Sequence, residues 1–258
     1  MTTRTALVTG ASTGIGRELS HLLAADGYDL MLTARNRDAL EAVAAPWRAK
    51  GRTVDVLPLD LGQPGAAQSL FAQVKQLGRP VDVLVNNAGF GSSGAFHEIP
   101  IGKDLSLLQL NVVALTELCR LFLPDMVARK QGRVLNVASL AGFQPGPYMA
   151  AYCASKAYVL SLSEAINGEL AGTGVTMSAL CPGPVLTEFQ KRADCEKSPL
   201  FRGKMLDAAT VARIGYNGMK KGKAVILPGW KTKLLAFSNR FAPRGVVVSV
   251  AKGMLKID

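Results

Sequence analysis

Tyr152 and Lys156 stand four residues apart in the segment Tyr152-Cys153-Ala154-Ser155-Lys156, and Ser139 lies thirteen residues upstream. In a helix, positions i and i+4 share a face, so an ammonium would sit beside a phenol. A nearby cation favours the phenolate and lowers the phenol's pKa. Such a phenol can pass a proton to or from a substrate oxygen near neutral pH. The same spacing also arises with no chemistry attached. Its weight depends on the elements that would position it.

Residues 5–9 form a short apolar run that ends in Gly10-Ala11-Ser12-Thr13-Gly14-Ile15-Gly16, and Arg17 to Ala25 follow with helical spacing up to Gly27. Strand, glycine turn and helix together aim backbone N–H groups and the positive end of a helix at a phosphate. The glycines run G-x-x-x-G-x-G, not the G-x-G-x-x-G of many dinucleotide folds. The second strand, Tyr28–Thr33, ends at Ala34-Arg35. An NAD site usually carries an Asp or Glu there for the ribose 2′-hydroxyl. A guanidinium instead grips a 2′-phosphate, so Arg35 favours NADP(H) over NAD(H).

Further along, the pattern predicts a helix over 37–50, a strand over 53–59 ending at Asp60-Leu61, a helix over 65–77, and a strand over 81–85 ending at Asn86-Asn87-Ala88-Gly89. A β-α-β-α-β-α-β order with short loops implies a parallel sheet with helices on both faces. Ligands bind such sheets at the carboxyl ends of the strands. Asp60 and Asn86–Gly89 fall at those ends, although each is also ordinary turn chemistry. A fifth strand, Arg133–Ala138, delivers Ser139, and a helix over 152–170 carries Tyr152 and Lys156. A strand over 175–181 then leads to Pro182-Gly183-Pro184-Val185-Leu186-Thr187, where Pro184 fixes the turn.

Thr9-Gly10-x-x-x-Gly14-Ile15-Gly16, Asp60-Leu61, Asn86-Asn87-Ala88-Gly89, Ser139, Tyr152-x-x-x-Lys156 and Pro182-Gly183 together resemble the short-chain dehydrogenase/reductase family, in order and in spacing, over about residues 4–190. The resemblance implies an α/β, Rossmann-type doubly wound parallel sheet forming a single catalytic domain over residues 1–229. It also implies a catalytic set of Asn111, Ser139, Tyr152 and Lys156, with Asn111 on a helix over 105–120. The cofactor would be held by Gly10, Ser12, Thr13, Gly14, Ile15, Gly16, Arg35, Asp60, Leu61, Asn87, Ala88, Gly89, Tyr152, Lys156, Pro182, Gly183, Val185 and Thr187. Reduction of a ketone or aldehyde by NADPH, or the reverse, is the implied activity. A binding protein that senses NADPH without turnover would keep Gly10–Gly16 and Arg35 but would need no catalytic set. Family resemblance further implies a homodimer or homotetramer through the helices that carry Asn111 and Tyr152.

Of 258 residues, 48% are apolar, enough for one large α/β core. Four cysteines and two histidines show no metal-ligand spacing, so no metal is expected, and free thiols fit a reducing cytoplasm. His97 falls in a loop and could line a pocket. No basic segment with a long apolar stretch opens the sequence, and no run reaches the ~18 continuous apolar residues of a spanning helix.

Charge is unevenly placed. Residues 1–190 balance fifteen Lys/Arg with fifteen Asp/Glu, whereas residues 191–258 set fifteen against four, so the whole excess of +11 falls there. Within that quarter, the family resemblance makes residues 185–205 a substrate loop, where Phe189, Leu200, Phe201 and Met205 fit an apolar substrate or plain packing. Asp207 caps a helix to Met219, and residues 224–227 form a last strand. Residues 230–258 form a basic apolar extension of two segments about twelve residues long, too short to span a bilayer. They either pack on the subunit or an oligomer partner, or lie in a membrane interface. Nucleic acid is not an expected partner, because no recognition helix or stacking motif accompanies the basic charge.

Overall fold

A computed structural model describes residues 3–186, 193, 198, 205–239 and 241–256. Thr187, Phe189, Leu200 and Phe201 lie outside the described residues. In chain order the main elements are β1 (Thr5–Thr9), α1 (Gly14–Ala25), β2 (Asp29–Ala34), α2 (Arg37–Arg48), β3 (Val54–Pro58), α3 (Ala66–Gln76) and β4 (Val83–Asn86). Then come α4 (Ile101–Leu108), a π-helical turn (Gln109–Ala114), α5 (Leu115–Ala128), β5 (Gly132–Val137), a 3-10 turn (Leu140–Phe143), α6 (Ala150–Glu169) and β6 (Val175–Leu180). The short pair β7 (Val185–Leu186) and β8 (Leu206–Asp207) is followed by α7 (Ala208–Lys220), β9 (Val225–Ile226), α8 (Trp230–Ser238) and α9 (Arg244–Leu255).

The main sheet has seven parallel strands in the order β3-β2-β1-β4-β5-β6-β9. Alternate residues of a strand face opposite sides, and the sequence supplies apolar groups to both. Along β1, Ala6 and Val8 enter one core with Leu19 and Leu23 of α1 and Val211 of α7. Leu7, between them, enters the other core with Leu70 of α3, Leu118 and Phe122 of α5 and Val159 of α6. β2 repeats the division, with Leu30 and Leu32 on one side and Met31 on the other. Truncating a wholly buried side chain such as Leu7 to alanine costs about 2–5 kcal/mol.

Local signals set the ends of the elements. Asn36 caps α2 by accepting from the Ala39 N–H at 3.0 Å, and Asp207 caps α7 through the Thr210 N–H. α1 begins at Gly14, earlier than the apolar periodicity marks, because the glycine turn itself forms the first helical turn. The helix expected over 105–120 is longer, running from Ile101 to Ala128 through the π turn. That run has 28 residues and an apolar window of mean hydropathy 1.4, so by length and composition alone it could cross a membrane. Its buried side chains, Leu107, Leu115, Leu118, Phe122 and Met126, are core residues of the fold.

Candidate active site

The carboxyl ends of β1, β2, β4 and β5 and the turn after β6 open onto one cavity of about 710 Å³. Gly10, Ser12, Thr13, Gly14 and Ile15 form one wall, with Arg35 and Asn36 beside them and Asp60 and Leu61 next. Asn87, Ala88 and Gly89 form the floor, and Ser139, Tyr152 and Lys156 stand at the far end with Pro182, Gly183 and Val185. The strand ends and the turns after them thus bring together residues 175 positions apart in sequence, Gly10 and Val185.

Asn87 and Thr9 lock the glycine loop. The Asn87 Nδ2 donates to the carbonyls of Thr9 at 2.9 Å and Gly10 at 3.1 Å. The Thr9 hydroxyl accepts from the N–H groups of Asn87 at 2.9 Å and Ala88 at 3.0 Å, and donates to the Val85 carbonyl at 3.2 Å. Gly10 has φ +63°, and an added Cβ would meet Asn87 Nδ2 at 2.7 Å and Ala88 Cα at 3.0 Å. Only glycine satisfies both constraints at once. Gly16 is buried and does not line the cavity. A Cβ there would collide with the Gly10 carbonyl and the Asn87 amide, so its part is to let α1 pack close to the loop.

Lys156 is buried on α6, and its ammonium donates to the Val137 carbonyl at 2.8 Å. The same nitrogen lies 5.9 Å from the centroid of the Tyr152 ring. Burial pushes the lysine pKa down from 10.5 to about 8. Ser139 caps the 3-10 turn, accepting from the Ala141 N–H at 3.1 Å and donating weakly to the Pro182 carbonyl at 3.5 Å. Asp60 Oδ1 accepts from the Gly62 N–H at 3.0 Å.

Asn111 does not line the cavity but holds its floor from below. Its Oδ1 accepts from the Phe90 N–H at 3.2 Å, and its Nδ2 donates to the Phe90 carbonyl at 2.9 Å and the Ser155 hydroxyl at 3.2 Å. It sits in the π turn, a feature concentrated at functional sites. A Cβ added at Gly89 would lie 2.9 Å from Asn111 Oδ1 and 3.6 Å from Lys156 Nζ.

Several lining residues carry no motif. Phe90, Leu110, Leu140 and Met149 add apolar surface to the lining, and Met254 and Leu255 join them from α9. Leu140 and Met149 fall between Ser139 and Tyr152, a position that could have marked them. Met254 and Leu255, about a hundred residues further on, carried no signal. His97 is exposed and does not line the cavity. Cys119, Cys153 and Cys181 are free and buried, and desolvation raises each thiol to about 12. Among the described residues no cluster of His, Cys, Asp or Glu could hold a metal ion.

A parallel sheet in this strand order, with a glycine loop and a buried Tyr–Lys pair along its carboxyl edge, defines the dinucleotide-binding class of α/β oxidoreductases. The chain belongs to the short-chain dehydrogenase/reductase family: the model described as short chain dehydrogenase matches residues 4–197. Among similar proteins, the ketoacyl reductase HetN of Nostoc sp. is 35% identical over 185 residues, which cover 72% of this chain and 64% of that protein. The chain therefore spans under two thirds of that relative's length. A very-long-chain 3-oxoacyl-CoA reductase of Phaeosphaeria nodorum is 32% identical over 259 residues, covering 96% of this chain and 75% of that protein.

Two solved structures show the same fold. A short-chain dehydrogenase from Sphingobium yanoikuyae in complex with NADPH has TM-score 0.83 and 30% identity, with 94% of each chain covered. A family member from Burkholderia phymatum in complex with NAD has TM-score 0.81 and 27% identity, with 91% of this chain and 92% of that one covered. The fold and family thus belong to oxidoreductases that use nicotinamide cofactors.

Proposed function

We propose that the protein is an NADP(H)-dependent carbonyl reductase with Tyr152 as its acid/base group. One observation carries this reading: Ser139, Tyr152 and Lys156 stand at one end of the cavity that Arg35 borders at the other. The residues fit a dinucleotide. The Gly10–Gly14 loop admits close backbone approach, as its positive φ values and the contacts at Gly10 require. Arg35 is exposed at the rim and forms no ion pair among the described residues, which leaves its guanidinium available to a 2′-phosphate. Ser12, Thr13, Asp60, Leu61, Asn87, Ala88, Pro182, Gly183 and Val185 would complete the cofactor contacts, with Thr187 following Leu186.

A bound reduced nicotinamide supplies the hydride that adds to the carbonyl carbon. As the carbonyl π pair moves onto oxygen, the Tyr152 hydroxyl gives its proton to that oxygen. Ser139 donates a hydrogen bond to the same atom once it leaves its weak 3.5 Å contact with the Pro182 carbonyl. Lys156 places positive charge beside the phenolate that remains. Asn111, next to Gly89 and close to Lys156, would support the water chain that returns a proton to Tyr152.

The apolar lining from Phe90, Leu110, Leu140, Met149 and Leu255 favours an apolar carbonyl, acyl or steroid-like. The names of the ketoacyl and oxoacyl-CoA reductase relatives support the acyl choice. Exposed Ile101, Leu105, Leu108, Val113 and Tyr158 on α4, the π turn and α6 support a homodimer or homotetramer through those helices. Three buried free thiols support a reducing, cytoplasmic setting.

Titration of the purified protein with NADPH and with NADH, followed by calorimetry, tests the cofactor assignment. NADPH binding at least ~10-fold tighter than NADH is expected. Equal affinity, or preference for NADH, removes Arg35 from the phosphate role. Binding of neither by folded protein removes the enzyme reading.

A further inference from the structure

The last two helices have one face in the catalytic domain and another with no cover among the described residues. On the inner side, Thr232 and Ala236 of α8 and Ala251 and Leu255 of α9 are buried. Thr232 Oγ1 lies 3.0 Å from where a Cβ on Gly183 would stand, and the Asn239 amide donates to Gln144 Oε1 at 3.0 Å. Met254 and Leu255 are part of the cavity wall.

The outer side is apolar too. Trp230, Leu234 and Phe237 recur at i, i+4 and i+7, which is one stripe of α8, and are 70, 57 and 58% exposed. Phe241, in the turn after the helix and 74% exposed, packs against Phe237 with ring centroids 5.0 Å apart. On α9, Val246 and Val250 are also exposed, at 53 and 58%. A helix that is apolar on both faces requires a cover on each. From Trp230 to Ile257 the chain carries six Lys/Arg and no Asp/Glu. Large exposed apolar groups and one-signed charge therefore coincide in this segment.

We propose that the outer face of α8 and α9 docks this protein on an anionic lipid bilayer. Exposed aromatic and leucine side chains among lysines enter the headgroup region, and nearby anionic headgroups attract each cation. Helices of nine and twelve residues are too short to span the bilayer and long enough to lie on it. A second copy of the chain is the poorer occupant. In a two-fold contact the same patch faces itself, which sets these cations against an identical set. The separate apolar face of Ile101, Leu105 and Val113 has charges of both signs nearby, at Lys103, Asp104 and Glu117, and suits a second copy better.

Docking would place the cavity wall formed by Met254 and Leu255 about one helix diameter, ~10 Å, from the lipid. Resting on the reductase reading, this identifies the substrate class as a carbonyl compound that partitions into membranes.

The experiment is flotation of the full chain with vesicles of phosphatidylcholine, with and without phosphatidylserine, at low and high salt. The flotation itself uses no cofactor or substrate, so whether the chain binds vesicles is independent of the reductase reading. Binding that requires phosphatidylserine and falls ~10-fold or more at high salt is expected. A Phe237→Ser/Phe241→Ser variant and a Lys231→Glu/Lys233→Glu variant should each lose ~10-fold of that binding, with turnover of a water-soluble ketone unchanged. No association of the wild type with either vesicle overturns the proposal, as does equal, salt-insensitive binding to both. Conversion of a larger assembly to a smaller one by the phenylalanine variant, without vesicles, assigns the face to a second copy instead.

Discussion

The Lys156 ammonium donates to the Val137 carbonyl at 2.8 Å, tying the middle of α6 to the last residue of β5 two positions before Ser139. One hydrogen bond thus couples the helix that carries Tyr152 to the strand that delivers Ser139. It also holds a cation in a buried place, where desolvation lowers its pKa to about 8.

That burial gives stability a pH dependence. An unfolded lysine titrates near 10.5 and the folded one near 8, so between these values the unfolded chain binds more protons and stability rises with pH. The three buried thiols act in the opposite sense above pH 9, where unfolded thiols ionise and folded ones do not. Urea denaturation of the cofactor-free protein and of Lys156→Met between pH 7 and 9 separates the two. The wild type should gain stability relative to the variant as pH rises through 8, and a constant difference would show that the ammonium is not destabilised by burial.

Tyr152→Phe removes the hydroxyl and leaves the ring beside Lys156. Turnover should fall by about 10²–10⁴ while NADPH affinity stays within about threefold. Steady-state kinetics with a broad ketone panel, paired with calorimetry, reads both. Retained turnover takes Tyr152 out of the acid/base role.

Arg35→Ala should weaken NADPH by roughly 10–100-fold and leave NADH unchanged, the range for a charge-assisted bond to phosphate. An equal loss for both cofactors would indicate a general disturbance of the loop rather than a lost phosphate contact.

Thr9→Val keeps the side-chain shape and deletes the hydroxyl that accepts from the Asn87 and Ala88 N–H groups. Two N–H groups then lose their partner, at about 1–3 kcal/mol each. Chemical denaturation should show that loss, and Thr9→Ser should recover most of it. A neutral Thr9→Val would mean that water or a loop shift satisfies those donors.

Much of this molecule was legible before folding was considered. The alternation of apolar runs with helical periods predicts the parallel sheet, because burial on both faces requires it. Gly10–Gly16, Asp60, Asn87–Gly89, Ser139 and the Tyr152–Lys156 spacing mark the carboxyl edge, because each strand end carries its own turn chemistry. These signals are local, set by residues within a few positions of one another. Only the tertiary structure decided the rest. It joined Thr9 to Asn87 across β1 and β4, whose register pairs Val8 with Val85. It placed Gly16 behind the loop, put Asn111 in a π turn under Phe90, and brought Met254 and Leu255 to the cavity wall. Those relations depend on strand order and helix packing between residues 21 to over 100 positions apart, distances over which spacing in the sequence carries no geometric information.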